Sequence, residues 1–365
     1  MTAIANKVAS SSSSPPDKNV VNLSNIGKKF FNFNIESLRG IAAVAVLINH
    51  AAANSNVLDP HYYPSGFWTF SAPGHLSVLL FFILSGYVIG IAHAAPMEKD
   101  SVLSYLKKRF IRIYPIYLFC FLLVIAVTNE GLSPLIIISH LTLTQGLLTP
   151  VLLYIDPSWS LTYEVAFYFL FIPISVFRLN PLLLAVAFIL LGVTGAYFNP
   201  DFAMQLLPTY SFGFAFWLSG LALAKYVHLS EDFTSYATMV GLVCLFLALG
   251  ILDSPAALLH QLQMFLLNKD LTLHPSSQHV VIIFRDLAFL PYGVVMLMVF
   301  AGKKLKHKNI ILIILTLLPA FSLVHYFKIR DEYPLVSLSI PVFLYGASIM
   351  FFLFLNALRA FLNDS

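Results

Sequence analysis

A chain of 365 residues that is 59% hydrophobic and only 10% charged, with a mean hydropathy of +0.83, cannot clothe a water-soluble surface. Soluble domains of ordinary composition carry about 25% charged residues. The composition excludes a soluble enzyme, offers no nucleic-acid partner, and describes an all-α, polytopic membrane protein whose net charge of +4 matters less than where its charges fall.

The first thirty residues, with the run SSSSSPP at Ser10–Pro16, are polar and of low complexity. They predict a disordered tail over 1–30, followed by a short amphipathic approach at Phe30–Phe33. A helix needs about 20 mostly apolar residues to cross a bilayer. Segments near 35–53, 76–95, 110–128, 160–178, 181–198, 209–227, 235–252, 286–301, 309–327 and 335–357 meet that need, which predicts about ten transmembrane helices in one domain over 31–357 and a short tail at 358–365. His140, Thr142, Thr144 and Gln145 interrupt the stretch 133–153, so a re-entrant or interfacial helix is expected there, and 255–267 is similarly ambiguous. The sequence shows no internal repeat, which argues against an inverted-repeat transporter.

Basic residues mark the cytoplasmic side of membrane proteins. With ten spans and both termini cytoplasmic, sixteen of the twenty-one Lys and Arg fall on that side and four on the other, with Arg39 inside the first helix. Cys120 and Cys244 sit in apolar segments and offer neither a disulfide framework nor a metal spacing.

Four stretches carry chemistry. The first, NIESLRGIAAVAVLINHAAA at Asn34–Ala53, places Arg39 and His50 eleven residues apart. At about 100° per residue that is three turns plus roughly 20°, so both share one helix face about 16 Å apart along the axis. An ionisable group at the bilayer centre costs at least ~2.5–3.5 kcal/mol, so its presence points to function. The plainer reading is an arginine snorkelling to head groups and a hydrogen-bonded core histidine. The second stretch, GHLSVLLFFILSGYVIG at Gly74–Gly90, holds Ser85-Gly86 in mid-helix. Small residues there either admit a neighbouring helix or border a substrate channel.

In the third, YLKKRFIRIYPIY at Tyr105–Tyr117, Lys107, Lys108, Arg109 and Arg112 cluster at the cytoplasmic entry of a helix. The lysines suit a positive-inside anchor. Arg109 and Arg112 share a face next to apolar residues, where two guanidinium forks suit phosphate or pyrophosphate oxygens. Pro115 is expected to bend the helix or remove a backbone bond beneath them. In the fourth, PSWSLTYEVAFYFLFIP at Pro157–Pro173, Trp159 marks an interface, Ser160 resembles an N-cap, and Glu164 lies a turn inside an apolar helix. Glu164 either answers the dipole of its own helix start or needs a polar partner. Because this helix starts at His50's end of the first one, a His50–Glu164 pairing is topologically reasonable.

In this order, the four stretches resemble the acyltransferase 3 family of integral-membrane O-acyltransferases, with weaker support from SFGFAFWLSGLALA at 211–224. The resemblance implies transfer of an acyl group, usually acetyl, from cytoplasmic acyl-CoA as co-substrate to a hydroxyl of a sugar or a cell-envelope glycan. It also implies a bacterial inner-membrane location, with the lipid bilayer and a glycan or lipid-linked sugar as partners. It assigns Arg39, His50 and Glu164 to catalysis and Arg109 and Arg112 to the donor, with Lys107 or Lys108 expected to assist. Ser85, Gly86, Trp159, Ser160 and Tyr168 are expected to border the substrate channel. His50 is expected to act as general base or as transient acyl carrier, oriented by Glu164, while Arg39 holds a donor oxygen or pairs with Glu36.

The chain departs from the family pattern twice. Leu79-Leu80 stands where many members carry a polar or acidic residue before the paired phenylalanines. The family's late Ser-Tyr-x-x-Tyr-Leu-x-His type of stretch is not found after SIPVFLYGASIMFFLFLNAL. Two other readings therefore stay open: a transporter or flippase, and an inactive, shortened homologue.

Overall fold

Apolar side chains around a helix leave every backbone N–H and C=O paired within the segment, which hydrocarbon demands. The computed structural model describes residues 32–53, 59, 61–62, 72–128, 131–198, 202–227, 235–255, 257–258, 261, 278–303, 305, 307–328 and 335–354. The fold is all-helical, with no β-strand among the described residues. Asn34–Ser365 forms one compact unit, and the remaining unit, Met1–Phe33, lies almost wholly outside the described residues, as do the expected tails 1–30 and 358–365.

The helices are α1 (Phe33–Ala53), α2 (Gly74–Ala92), α3 (Lys99–Thr128), α4 (Pro134–Leu141), α5 (Trp159–Val176), α6 (Pro181–Phe198), α7 (Phe202–Tyr226), α8 (Tyr236–Ile251), α9 (Gln278–Phe300), α10 (Lys308–Lys328) and α11 (Leu335–Ile349). A 3₁₀ turn at Leu153–Ser158 leads into α5, and a π-helical turn at Met350–Phe354 ends α11. Each expected apolar segment carries a helix. Among the described residues, Gly74–Ala92, Lys99–Thr128 and Leu153–Val176 are long and apolar enough to cross a bilayer. Pro181–Gly195, Tyr236–Ile251, Lys308–Val324 and Ser339–Leu353 are shorter apolar helices, so length and composition do not by themselves give ten crossings.

Two boundaries shift. The helix expected at 110–128 begins at Lys99 and runs through Pro115 without a break. The 133–153 stretch holds only the eight-residue α4, capped by Ser133 and started by Pro134, followed by turns. At about 1.5 Å per residue, α4 is far too short to span. Its polar residues tie the turn to its neighbours: Gln145 donates to the Ser158 carbonyl, Thr162 donates to that of Gln145, and Tyr117 donates to that of His140. Most of 255–267 lies outside the described residues.

Leu80, Ile83, Leu84, Phe216, Trp217 and Phe289, all fully buried, form the core between α2, α7 and α9. Helix α2 is buried nearly all round. By contrast, Ile116, Phe119 and Val127 of α3, Leu183 and Leu190 of α6, and Ile314 and Leu317 of α10 are exposed. Apolar outer faces on this scale suit lipid, and the protein is an integral membrane protein.

Helices α2 and α7 meet through Gly86-x-x-x-Gly90 and Gly220-x-x-x-Ala224, the small-residue spacing that brings membrane helices close. A Cβ on Gly86 would lie 1.9 Å from the Trp217 carbonyl oxygen, and one on Gly220 would lie 1.9 Å from that of Ile83. Gly86 therefore packs against α7 and is not among the residues that line the cavity described below.

A Gly86→Ala change should cost about 1–3 kcal/mol or more through overpacking, lowering the melting temperature of the detergent-solubilised protein. Gly40 of α1 has nothing within 4 Å of its missing Cβ. Its replacement by Ala should be neutral or stabilise by up to about 1 kcal/mol. Equal melting temperatures for Gly86→Ala and wild type would contradict the crossing.

Candidate active site

Since Gly86 faces α7, Ser85, one residue earlier and about 100° round the helix, faces elsewhere. It lines a cavity of about 310 Å³ together with Arg39 of α1, Val78 and Phe82 of α2, Arg109 and Arg112 of α3, and Ser160 and Glu164 of α5. Six residues expected at the site thus come together from four helices. The α2 residues at its wall run from Val78 to Val88, a rise of about 15 Å.

Charge in this cavity is answered mostly by neutral groups. Glu164 accepts hydrogen bonds from Ser85 at 3.1 Å and, in a short contact, from the Tyr168 hydroxyl. Arg109 lies with its guanidinium carbon 5.4 Å from the Tyr105 ring centroid and 5.5 Å from that of Tyr168, a geometry in which ring faces attract a cation. Both tyrosines are buried, and Tyr105 donates to the Tyr168 carbonyl. Arg109 Nε is buried without a hydrogen-bond partner, and among the described residues no carboxylate pairs with Arg109 or Arg112. Arg39 is ion-paired with Glu36 at 2.6 Å. Two guanidinium groups therefore bring unpaired positive charge to one cavity.

Other expected site residues stand apart from the cavity wall. Lys108 is exposed and does not line it. Tyr168 acts on it through Glu164 and Arg109. Ser160 lines it but is not the N-cap: Ser158 holds that position, and Ser160 donates to the Pro157 carbonyl. Nor does His50 pair with Glu164. Its Nδ1 lies 3.9 Å from Asp156 Oδ2, beside the 3₁₀ turn that leads into Ser160. That distance is beyond hydrogen-bond range. Asn49, its neighbour, donates to the Ala72 carbonyl and ties the end of α1 to the start of α2.

His75 and Asp286 lie outside the expected set of site residues. His75 Nε2 lies 2.9 and 3.1 Å from the two oxygens of Asp286 on α9, and its ring stacks on Trp159 with centroids 6.1 Å apart. The signal was available: Asp286 is a carboxylate in the apolar run of α9, the argument that singles out Glu164. Its partner, 211 residues away, was not.

Residues 32–363 match the family described as an acyltransferase domain. The match includes the C-terminal region that departs from the family pattern. The chain is 30% identical over 149 residues to the acyltransferase MdmB of Streptomyces mycarofaciens, covering 38% of each chain. It is 31% identical over 88 residues to an O-acetyl transferase of Shigella phage Sf6, covering 24% of each. The chain thus spans well under half the length of these curated relatives. No solved structure matches it.

At the Arg109 end, His93 follows the last residue of α2. Burial, reinforced by the charges of Arg109 and Lys108, holds its imidazole below the ordinary range. The unfolded chain then binds this proton more readily, so protonation favours unfolding. His93 contributes stability that is present above its ordinary pKa of ~6.5 and lost as the pH falls through its lower folded value. Thermal unfolding between pH 7 and 5 should show a steeper loss for wild type than for His93→Gln, and parallel curves would exclude this contribution.

Proposed function

The chain belongs to the acyltransferase domain family, and from that premise we propose that it moves an acyl group, acetyl in the simplest case, from coenzyme A to a hydroxyl of a sugar or envelope glycan. The observation that carries this reading is one cavity that gathers Arg109 and Arg112, with no carboxylate partner among the described residues, together with Glu164 and Ser160. Paired guanidinium forks favour phosphate and pyrophosphate oxygens, which the nucleotide end of an acyl-CoA presents. The bias of the basic residues supports a cytoplasmic position for this end, with both termini on that side and ten crossings between them, and the family resemblance supports a bacterial inner membrane. The pantetheine arm then follows the cavity along α2, past Ser85, toward Ser160.

At the far end the acceptor hydroxyl loses its proton to an imidazole, its oxygen attacks the thioester carbonyl, the C–S bond breaks, and the departing thiolate takes the proton. His50, beside Asp156 and the 3₁₀ turn before Ser160, serves as that imidazole. A positioned base contributes ~10²–10⁴-fold and works best with a pKa near the working pH. Glu164, held by Ser85 and Tyr168, lines the middle of the path, where its carboxylate accepts hydrogen bonds from the amide N–H groups of the pantetheine arm.

Purified protein in lipid nanodiscs should release coenzyme A from acetyl-CoA in the presence of a glycan acceptor. His50→Ala should reduce transfer at least ~10²-fold while insertion and melting temperature stay unchanged. Arg109→Ala and Arg112→Ala should raise the KM for acetyl-CoA about tenfold or more each, the loss of one charge-assisted contact of about 1.5–3 kcal/mol. Substrate movement across the membrane without coenzyme A release would sink the enzymatic reading.

A further inference from the structure

A half-exposed imidazole held by a buried carboxylate is an uncommon object among apolar helices. His75 is 37% exposed in its side chain and Asp286 only 9%. With both Asp286 oxygens facing Nε2, the neutral ring donates from that nitrogen, and Nδ1 is left as the acceptor-capable one. Among the described residues Nδ1 has no hydrogen-bond partner. Arg285 lies 3.8 Å from the same carboxylate, so the buried charge is doubly answered, as such charges require.

The surroundings are aromatic. Trp159, half-buried, stacks on His75 and meets Phe82 and Tyr163 edge-on, at 6.4 and 5.3 Å between ring centroids. Phe82 and Ser160 line the cavity, and Val78 of the same wall is one turn from His75. The cluster therefore adjoins the cavity at the Ser160 end, about 15 Å along α2 from the wall's other end at Val88.

Aromatic faces with a fixed hydrogen-bond acceptor at their edge suit a ring that is apolar on its faces and hydroxylated at its rim. We propose that His75, Asp286 and Trp159 form the acceptor subsite, which takes a pyranose-class sugar: Trp159 packs on the ring, and Nδ1 of His75 accepts a hydrogen bond from one of its hydroxyls. Asp286 is a positioning residue that fixes the tautomer. The assignment of this ligand as acceptor rests on the acyl-transfer reading. The cluster's other role would be a tether between α2 and α9.

The test uses full-length protein in nanodiscs with methyl α-glucoside, methyl α-galactoside and methyl α-mannoside as probes, and their monodeoxy forms. Equilibrium dialysis measures binding, and acetyl-CoA consumption measures transfer. Wild type should bind at least one glycoside, with one deoxy position costing tenfold or more in affinity. His75→Phe, which keeps a ring and loses the nitrogens, should bind the parent glycoside about tenfold more weakly and no longer distinguish that deoxy form. Asp286→Asn should weaken the same discrimination, which covers the case of a His75→Phe protein that does not fold. A mere tether predicts lower melting temperatures with deoxy discrimination intact, and that result overturns the subsite. Failure of wild type to bind any of the three glycosides also overturns it. Glycoside binding with the expected discrimination but no acetyl transfer keeps the subsite and removes the enzymatic reading.

Discussion

The Trp217 carbonyl oxygen lies where a side chain on residue 86 would begin. Only glycine permits that approach, and Gly220 repeats it from the other helix against Ile83. Two backbones held this closely leave no freedom of rotation for α2. Its remaining residues are then assigned to faces by the helical period: Gly86 and Gly90 to α7, Ser85 to the cavity and Glu164. With α2 fixed, His75 at its other end is aligned with Trp159 and Asp286. The placement of Ser85 and His75 along this helix follows from two glycines, each set against the backbone of the facing helix.

The second constraint is electrostatic. Charges removed from water need compensation, and breaking a buried pair leaves an expensive orphan. Here Glu164 is compensated by two hydroxyls and Arg109 by two tyrosine rings. Neutral partners stabilise a charge without cancelling it. The guanidinium groups thus keep an outward field that an anionic ligand can use, which a closed Arg–Glu pair would have consumed. Arg39, closed onto Glu36, is the contrasting case, and its pairing makes it a weaker anion ligand than Arg109 or Arg112.

Hydrophobic periodicity and charge placement made the helices legible in the sequence, together with the residues that had to be special: Arg39, Arg109, Arg112, Ser85, Ser160 and Glu164 all reach one cavity. An unsolvated charge or a small residue in an apolar run is visible without knowing its neighbours. Its partner is not. Gly86 reads as channel or packing until α7 is set against it, and Glu164 reads as answering its own helix start or as a partner for His50 until Ser85 and Tyr168 are set against it. Asp286 answers His75 across 211 residues, a pairing that no local pattern encodes. The start of α3 at Lys99 was obscured for a different reason, because polar residues extend that helix beyond its apolar run.

Helix α1 relates these parts to one another. Arg39 lines the cavity beside Arg109 and Arg112, while His50 stands outside it near Asp156. They are separated by about 16 Å along a straight helix, close to the rise of about 15 Å that the α2 wall of the cavity covers. A rigid helix cannot bring its own two residues together, so in the proposed mechanism they act as stations at the two ends of one path. The long flexible thioester arm of the proposed donor has the form to bridge them. The middle of the path belongs to other helices: Ser85 from α2 and Glu164 from α5, joined by a hydrogen bond. A shorter cavity would have permitted a single compact site; the length of this one suits the proposed division of work, with anion recognition at one end and hydroxyl recognition at the other.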